Sequence, residues 1–321
     1  MKDDPFGISV VIPNYNGENI ISETIYCAIE ALETSQLKNY EIIVSDDASC
    51  DNSVSVIKHL FKEINIIQSE TNTGFSSNVN RGVKAATKEL VFILNSDLHL
   101  GKGYFKSILP LFENKNVFGV MGLIKTPVTL EFQDGAKVPI INYHMYIKSN
   151  KNDYSKPGVS PTFFLSGANA LIRREYFLLL DGFCELFNPY YSEDVDLGIR
   201  AWKMGWELYF QPNAICYHEI SATINKLPKN KVRIIAKRNT YILHGLHLPK
   251  YTLIIYNLNL VVITLFRFLK GDLNYLIAFK KYLKLQKLIY KERIKFINLN
   301  EKQRKLNLFQ VIKKIKSLDL N

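Results

Sequence analysis

Glu89-Leu90-Val91-Phe92-Ile93-Leu94-Asn95-Ser96-Asp97-Leu98-His99-Leu100 begins as an apolar run and ends in a short polar cluster. Leu90 to Leu94 has the length and the β-branched and aromatic content of a strand buried on both faces. The polar cluster then falls at the strand's carboxyl end, where open α/β sheets bind their ligands. Among Asn95, Ser96 and Asp97, only Asp97 offers a hard anionic oxygen. Asn, Ser and Asp are also turn formers, so on this stretch alone a plain turn and a ligand site are both open readings.

The same pattern recurs upstream. Ser9 to Pro13 reads as a buried strand ending in Asn14-Tyr15-Asn16-Gly17, with Asn19 or Ser22 as cap for a helix bearing Ile25, Ala28, Ile29 and Leu32. Tyr40 to Ser45 is a second strand; Asp46-Asp47-Ala48-Ser49 follows, then a helix with Val54, Ile57, Leu60 and Phe61 on one face. Ile64 to Gln68 is a third strand, and Asn72-Thr73-Gly74-Phe75 opens a helix with Val79, Val83 and Ala86. Strand and helix thus alternate four times with short connections, which predicts a parallel, right-handedly wound sheet covered by helices. Each polar cluster sits at a carboxyl end, so the clusters converge on one edge, and turn chemistry explains that convergence poorly.

Further along, Tyr104 to Phe112 reads as a helix and Val117 to Ile124 as a strand. Residues 127–161 are weakly patterned and read as a mobile or hairpin segment able to close over a ligand. Thr162 to Ile172 reads as a strand kinked at Gly167 and Ala168, where something can approach the backbone closely. In Ser192-Glu193-Asp194-Val195-Asp196, Ser192 suits an N-cap and the acids suit a first helical turn. Three carboxylates within four positions also repel one another, which points to a cation or to proton transfer. Trp206 to Phe210 and Ile215 to His218 read as two short strands; a lone His218 is more often a hydrogen-bonded core residue than a ligand.

A chain of 321 residues can bury a full core and suggests one large domain with an appendage, or two domains. The first apolar segment, Ile8 to Pro13, is too short for a signal sequence or a span, which leads us to expect a cytoplasmic protein. The four cysteines show no C-x-x-C pairing, which argues against a zinc site or a disulfide framework. Of 41 Lys and Arg and 30 Asp and Glu, 22 basic and four acidic residues lie from Lys226 onward, leaving 19 basic and 26 acidic before it. A compositional boundary near residue 225 follows, with an acidic partner for the tail.

Together these clusters resemble an inverting family 2 glycosyltransferase with the GT-A fold, nearest to the rhamnosyltransferase-like enzymes of bacterial surface polysaccharide synthesis. The matching pieces are Val10 to Gly17, Ile43 to Ser49, Asn72 to Phe75 with Asn80 and Gly82, Leu94 to Asp97, Ser166 to Ala170, and Ser192 to Leu197 with Arg200 and Gly205-Trp206. The resemblance implies a Rossmann-like α/β fold: a mixed, mainly parallel sheet with helices on both faces over 1–225, and a basic helical extension over 226–321. By position, Pro13, Tyr15, Asn16, Asp47, Asn72, Gly74, Asn80 and Ser96 would hold the nucleotide. Asp97 matches the last acid of the family's Asp-x-Asp motif, whose first acid is here Asn95, and with His218 would bind Mg²⁺ or Mn²⁺ at the donor diphosphate. Asp194 matches the catalytic base, with Glu193 its rival; Asp196 would brace the helix or Arg200. Gly167, Ala168 and Trp202 would line the donor and acceptor pocket. Tyr217 to Ala222 resembles the subgroup's version of the histidine motif. The implied partners are a UDP- or dTDP-sugar donor and a glycan or lipid-linked acceptor.

In the tail, Tyr251 to Leu269 is strongly apolar but interrupted by Asn257, Asn259 and Arg267, which makes it marginal as a membrane span. Beyond it Lys280, Lys284, Lys287, Lys291 and Lys295 share a helical spacing. Such a stripe suits the anionic inner face of the cytoplasmic membrane, and equally a solvated face on a helix packed against the catalytic domain. No nucleic-acid partner is expected, because the tail lacks interleaved recognition motifs. Against the enzyme stands a catalytically silent GT-A scaffold recruited through its tail, which Asn95 keeps open. A sugar nucleotidyltransferase would need a basic Gly-rich loop after the first strand, and Pro13 to Gly17 lacks one.

Overall fold

The computed structural model describes residues 6–141, 147–151, 158–218, 228–301 and 306–318. Its first half is the expected alternation: β1 (Ile8–Asn14), α1 (Ile21–Thr34), β2 (Tyr40–Asp46), α2 (Ser53–Leu60), β3 (Asn65–Gln68), α3 (Phe75–Ala85) and β4 (Leu90–Leu94). β1 lies between β2 and β4, and β3 flanks β2, all parallel. Val91 and Ile93 join one buried cluster with Val79 and Val83 of α3, whereas Leu90, Phe92 and Leu94 join the other with Ile21 and Ile25 of α1. Alternate side chains of a strand point to opposite faces, so β4 is covered twice.

Then follow β5 (Leu98–Leu100), α4 (Tyr104–Ile108), β6 (Val117–Lys125), β7 (Phe132–Asp134), β8 (Lys137–Ile141), β9 (Ile147–Lys151), β10 (Ser160–Pro161) and β11 (Asn169–Arg173). After them come α5 (Arg174–Leu179), α6 (Glu193–Lys203) and β12 (Glu207–His218). The main sheet runs β10-β12-β6-β11-β4-β1-β2-β3, with β5 paired to β12 and β7 to β6. β11 is antiparallel to both neighbours, while β12 runs parallel to β6. Within 127–161, β8 and β9 form a separate antiparallel pair.

Several local expectations change. The two short strands over 206–218 are one strand, β12, whose register against β6 shifts between Gln211 and Ile215 around Pro212, a residue that cannot donate to the ladder. The strand expected over 162–172 is confined to β11; Thr162 N–H instead bonds the Leu208 carbonyl, and Phe163 N–H that of Lys137. Neither Asn19 nor Ser22 caps α1: Ile20 holds that position, and the N–H groups of Ile20 and Ile21 both reach the Gly17 carbonyl. Ser192 does precede α6, but with φ 76° and no side-chain cap bond.

The tail is helical: α7 (Lys229–His247), α8 (Lys250–Leu269), α9 (Leu273–Lys284), α10 (Gln286–Glu301) and α11 (Leu308–Leu318). The lysine stripe is therefore split between α9 and α10, and Lys295 pairs with Asp181. Tyr241, Ile242, Tyr256, Tyr282, Ile289 and Val311 share a buried cluster with Phe163, Leu197 and Trp202, so the tail packs on the sheet domain. α8 joins that cluster through Tyr256 and Leu260 but leaves its other face open, with Leu258 and Val262 each 65% exposed. Among the described residues it is the one helix long and apolar enough to cross a membrane by length and composition.

Candidate active site

A cleft of about 480 Å³ opens over the carboxyl ends of β1, β2 and β4, in the size range of ligand sites. Pro13, Tyr15, Asp47, Asn72, Gly74, Asn95, Ser96, Asp97 and His218 all line it, so the structure brings together most of the residues singled out by sequence. Asn14 and Phe75, from the first and third motif pieces, line it too, as do Pro189, Tyr190 and Lys231, whose part sequence reasoning missed. Tyr15 is 42% exposed, leaving its ring open for a planar ligand.

One wall is built around Asp47. Its Oδ2 accepts from the N–H groups of Thr73 (2.9 Å) and Gly74 (2.8 Å), and its Oδ1 from the Thr73 hydroxyl (2.7 Å) and Arg81 Nη2 (3.2 Å). The carboxylate is thus committed to shaping the 72–75 turn. Gly74 sits there at φ +93°, and a Cβ would come within 2.9 Å of both Asn188 Oδ1 and the Pro189 backbone, so glycine alone fits. Behind the turn Asn14 donates to Asp46 and to the hydroxyls of Ser49 and Ser53, tying the ends of β1 and β2 together.

The opposite wall is the turn after β4. Asn95 N–H bonds the Ala168 carbonyl at 2.9 Å and Leu98 N–H the Asn95 carbonyl, which fixes Ser96 and Asp97 at the rim. β5 pairs Leu98 with His218, placing Asp97 Oδ2 3.2 Å from His218 Nε2. Gln133 of β7 donates to the His218 carbonyl and presents Oε1 to His218 Nδ1 at 2.8 Å. That orientation puts the ring proton on Nδ1 and turns Nε2 toward Asp97. Two acceptors facing each other need a proton or a cation between them. Asn95 Oδ1 and Asp97 Oδ1 are moreover buried and accept no hydrogen bond. Unsatisfied buried acceptors are unfavourable, so this donor set fits a divalent cation held by Asp97, His218 and Asn95. Among the described residues no group of three His, Cys, Asp or Glu is set for a metal. Residues 219–222 of the histidine motif lie outside the described residues.

None of the three α6 acids, the expected base Asp194 included, is among the residues lining the cleft. Asp194 and Gly167 line a small hollow of their own, and the Phe75 ring, which lines the cleft, comes 3.3 Å from a Cβ placed on Gly167. Burial first, then Asp194, raises the Glu193 carboxyl to about 8; burial raises Asp194 to about 6, opposed by Lys137. Glu193 Oε2 is buried without a hydrogen-bond partner. Asp196 does brace Arg200, through Nε at 2.8 Å and Nη2 at 2.6 Å, and it also meets His247 of α7 at 2.8 Å.

Four expected contacts fall elsewhere. Ala168 lines neither the cleft nor the hollow and serves through its carbonyl, which holds Asn95 N–H. Asn80 does not reach the cleft: it donates to the Phe183 carbonyl and Glu185, accepts from Phe183 N–H, and so pins α3 to the 182–185 turn. Trp202 is fully buried with its indole N–H on the Thr162 carbonyl. Asn16 is exposed and links its loop to Ser49 and Cys50. Hydrogen-bonding and aromatic side chains have the same sequence signature whether they face a ligand or a neighbouring helix.

A sequence model described as Glycosyl transferase family 2 matches residues 9–179. The chain is 26% identical over 231 residues to poly-β-1,6-N-acetyl-D-glucosamine synthase of Staphylococcus epidermidis (71% of this chain, 53% of that protein). It is 32% identical over 230 residues to the amylovoran biosynthesis glycosyltransferase AmsB of Erwinia amylovora (69% and 72%). It is 22% identical over 239 residues to the N-acetylglucosaminyl-diphospho-decaprenol L-rhamnosyltransferase of Mycobacterium tuberculosis (67% and 77%). The chain thus spans about half the length of the first of these relatives. Among solved structures, GalNAc-T7 with UDP, GalNAc and Mn²⁺ superposes with a TM-score of 0.60 at 16% identity (77% of this chain, 49% of that one). S. aureus TarS 1–349 with UDP gives 0.54 at 16% (97% and 91%). The chain belongs to glycosyl transferase family 2. Its fold is the mixed, mainly parallel GT-A architecture with a helical C-terminal region.

Proposed function

We propose that this chain is an inverting glycosyltransferase that moves a sugar from a nucleoside-diphosphate donor to a hydroxyl of a glycan or lipid-linked glycan. The observation that carries this reading is the cleft itself: an open Tyr15 ring at one end, and at the other the paired Asp97 and His218 beside two unsatisfied acceptors. The Tyr15 ring packs on the base, the turn held by Asp47 lets the donor approach the Gly74 backbone, and Lys231 adds positive charge at the rim. When bound, Mg²⁺ or Mn²⁺ at Asp97, His218 and Asn95 would neutralise charge developing on the leaving diphosphate.

Asp194 takes the acceptor proton as that oxygen attacks the anomeric carbon opposite the diphosphate, and a single displacement inverts the centre. A carboxyl raised to about 6 remains ionised at neutral pH and is more basic than an exposed one. Glu193, raised further, is protonated more of the time and serves better as the neighbour that tunes Asp194. A UDP-sugar donor is supported by the UDP in the two structural neighbours, and a polysaccharide acceptor by the named relatives. The apolar face of α8, with the lysines of α9 and α10, docks on the anionic inner face of the cytoplasmic membrane, where a lipid-linked acceptor lies.

The test is hydrolysis of UDP-sugars with Mn²⁺ and with EDTA, alongside UDP affinity, for wild type and Asp194→Asn. The expected loss is about 10²–10⁴-fold in turnover with UDP affinity kept. Equal turnover in the two proteins would remove Asp194 as base, and a wild type silent toward every donor tried would favour the scaffold reading.

A further inference from the structure

The segment from Phe187 to Ser192 supplies two walls of the cleft, Pro189 and Tyr190, and runs directly into Glu193 and Asp194. Its last two residues lie in the left-handed region, Tyr191 at φ 79° and Ser192 at φ 76°. Such backbone persists in non-glycine residues only when its surroundings hold it there. The hold comes from α7. Asn239, fully buried, points its amide at the carbonyls of Phe187 (2.6 Å), Tyr190 (2.8 Å) and Tyr191 (2.8 Å), two hydrogens shared among three acceptors. Its Oδ1 accepts from Arg238 Nε at 2.9 Å and Nη2 at 2.7 Å, which fixes which end of the amide faces the loop. Arg238 Nη2 also reaches the carbonyl of Asn188.

On its other side the loop is tied to the start of α3. Asn188 Oδ1 accepts from Ser76 N–H, its Nδ2 donates to the Ser77 hydroxyl, and Phe75 N–H bonds the Pro189 carbonyl at 2.9 Å. Two turns further along α7, about 12 Å by helical rise, His247 meets Asp196 on α6. One helix therefore grips the chain on both sides of the carboxylate pair. α7 lies beyond the residues that the family model matches.

We propose that Asn239, oriented by Arg238, is a positioning residue for transfer: it sets the backbone of 187–192 so that Tyr190 closes the donor cleft and Asp194 faces the acceptor. This rests on the reading of the α6 acids as the site of the base. The amide acts through the loop and touches no substrate. A displacement of about 1 Å at a reacting group is enough to cost on the order of a hundredfold in rate.

The experiment compares wild type, Asn239→Ala, Arg238→Met and Asp194→Asn by hydrogen exchange, by UDP affinity, and by hydrolysis of UDP-glucose and UDP-N-acetylglucosamine with Mn²⁺. For Asn239→Ala the expected result is exchange roughly tenfold or more faster in peptides covering 187–194, with β1 and β4 as protected as in wild type. Turnover falls by a factor of about 10–100, and UDP affinity stays within about threefold. Should Asn239→Ala not fold, Arg238→Met must show the same local loosening. Exchange at 187–194 equal to wild type, or a rise spread evenly over the sheet, overturns the proposal. If Asp194→Asn keeps full turnover, the reading of the base fails, while the exchange measurement still decides whether Asn239 sets the loop.

Discussion

Replacing Asp47 with Asn should destabilise the protein by about 3 kcal/mol and loosen the 72–75 wall of the cleft. The carboxylate side chain is 3% exposed and accepts four hydrogen bonds, two of them from the N–H groups of Thr73 and Gly74. An isosteric amide has one acceptor. With its NH₂ toward the Thr73 and Gly74 N–H groups both of those bonds are lost; turned the other way it can donate to the Thr73 hydroxyl but opposes the Arg81 guanidinium. The Arg81 guanidinium also loses its counter-charge. Removing one partner of a buried pair typically costs about 3–5 kcal/mol, and the 23% exposure of the Arg81 side chain places this case at the low end. At roughly 2–4 °C per kcal/mol, the melting temperature should fall by about 6–12 °C. Once Thr73 and Gly74 are released, UDP should raise the melting temperature of the variant less than that of wild type, which thermal shift in matched buffers measures directly. A variant melting within about 2 °C of wild type would refute the reasoning about the carboxylate. A variant that is destabilised yet gains the full UDP shift would show that the nucleotide does not use this wall.

Glu193 and Asp194 give a pH signature of opposite sign to an ordinary salt-bridged carboxylate such as Asp196. Glu193, raised from 4.5 to about 8, takes up a proton on folding, so its contribution is favourable below 4.5 and is lost as pH rises through about 8. Glu193→Gln should therefore raise the melting temperature at pH 8 by several degrees and leave it near wild type at pH 5; an equal shift at both values would contradict this. On α8, Leu258→Asp together with Val262→Asp should abolish flotation with phosphatidylglycerol vesicles and hardly change the melting temperature, because both side chains are 65% exposed. Unchanged flotation of the double variant would exclude α8 as the docking face.

The part of the cleft built by β1, β2 and β4 was legible because its signals are local. β1, β2 and β4 are short apolar runs whose alternate residues fill two core layers, and each ends in polar residues at one edge of a parallel sheet. Asn95, Asp97 and His218 could be brought together only by matching a family's order of motifs, since β5 and β12, which join them, lie far apart in sequence. What stayed hidden is tertiary. Asn80 has the composition of a ligand contact and spends its amide on the 182–185 turn. Phe163, Phe164 and Leu165 are buried like strand residues, yet their segment bonds to two different strands in turn. Asn239 sits in a basic stretch that composition assigns to a solvated or membrane face, and no local pattern reveals three carbonyls nearly fifty residues upstream.

β12 enters the sheet between β10 and β6, so that Val117 faces Glu207 and Lys125 faces Tyr217. Pairings between segments so far apart form slowly, because a long loop must close before they are rewarded. As the chain leaves the ribosome, the wall made by β1, β2 and β4 can assemble while His218 and α7 are still unmade. A nascent chain can thus have the wall that carries Tyr15 and Asp47 without the paired Asp97 and His218 or the gripped loop. On the proposed reading of the site, chemistry waits until the last strand and the helix behind it are in place, which separates the folding of that wall from the onset of activity.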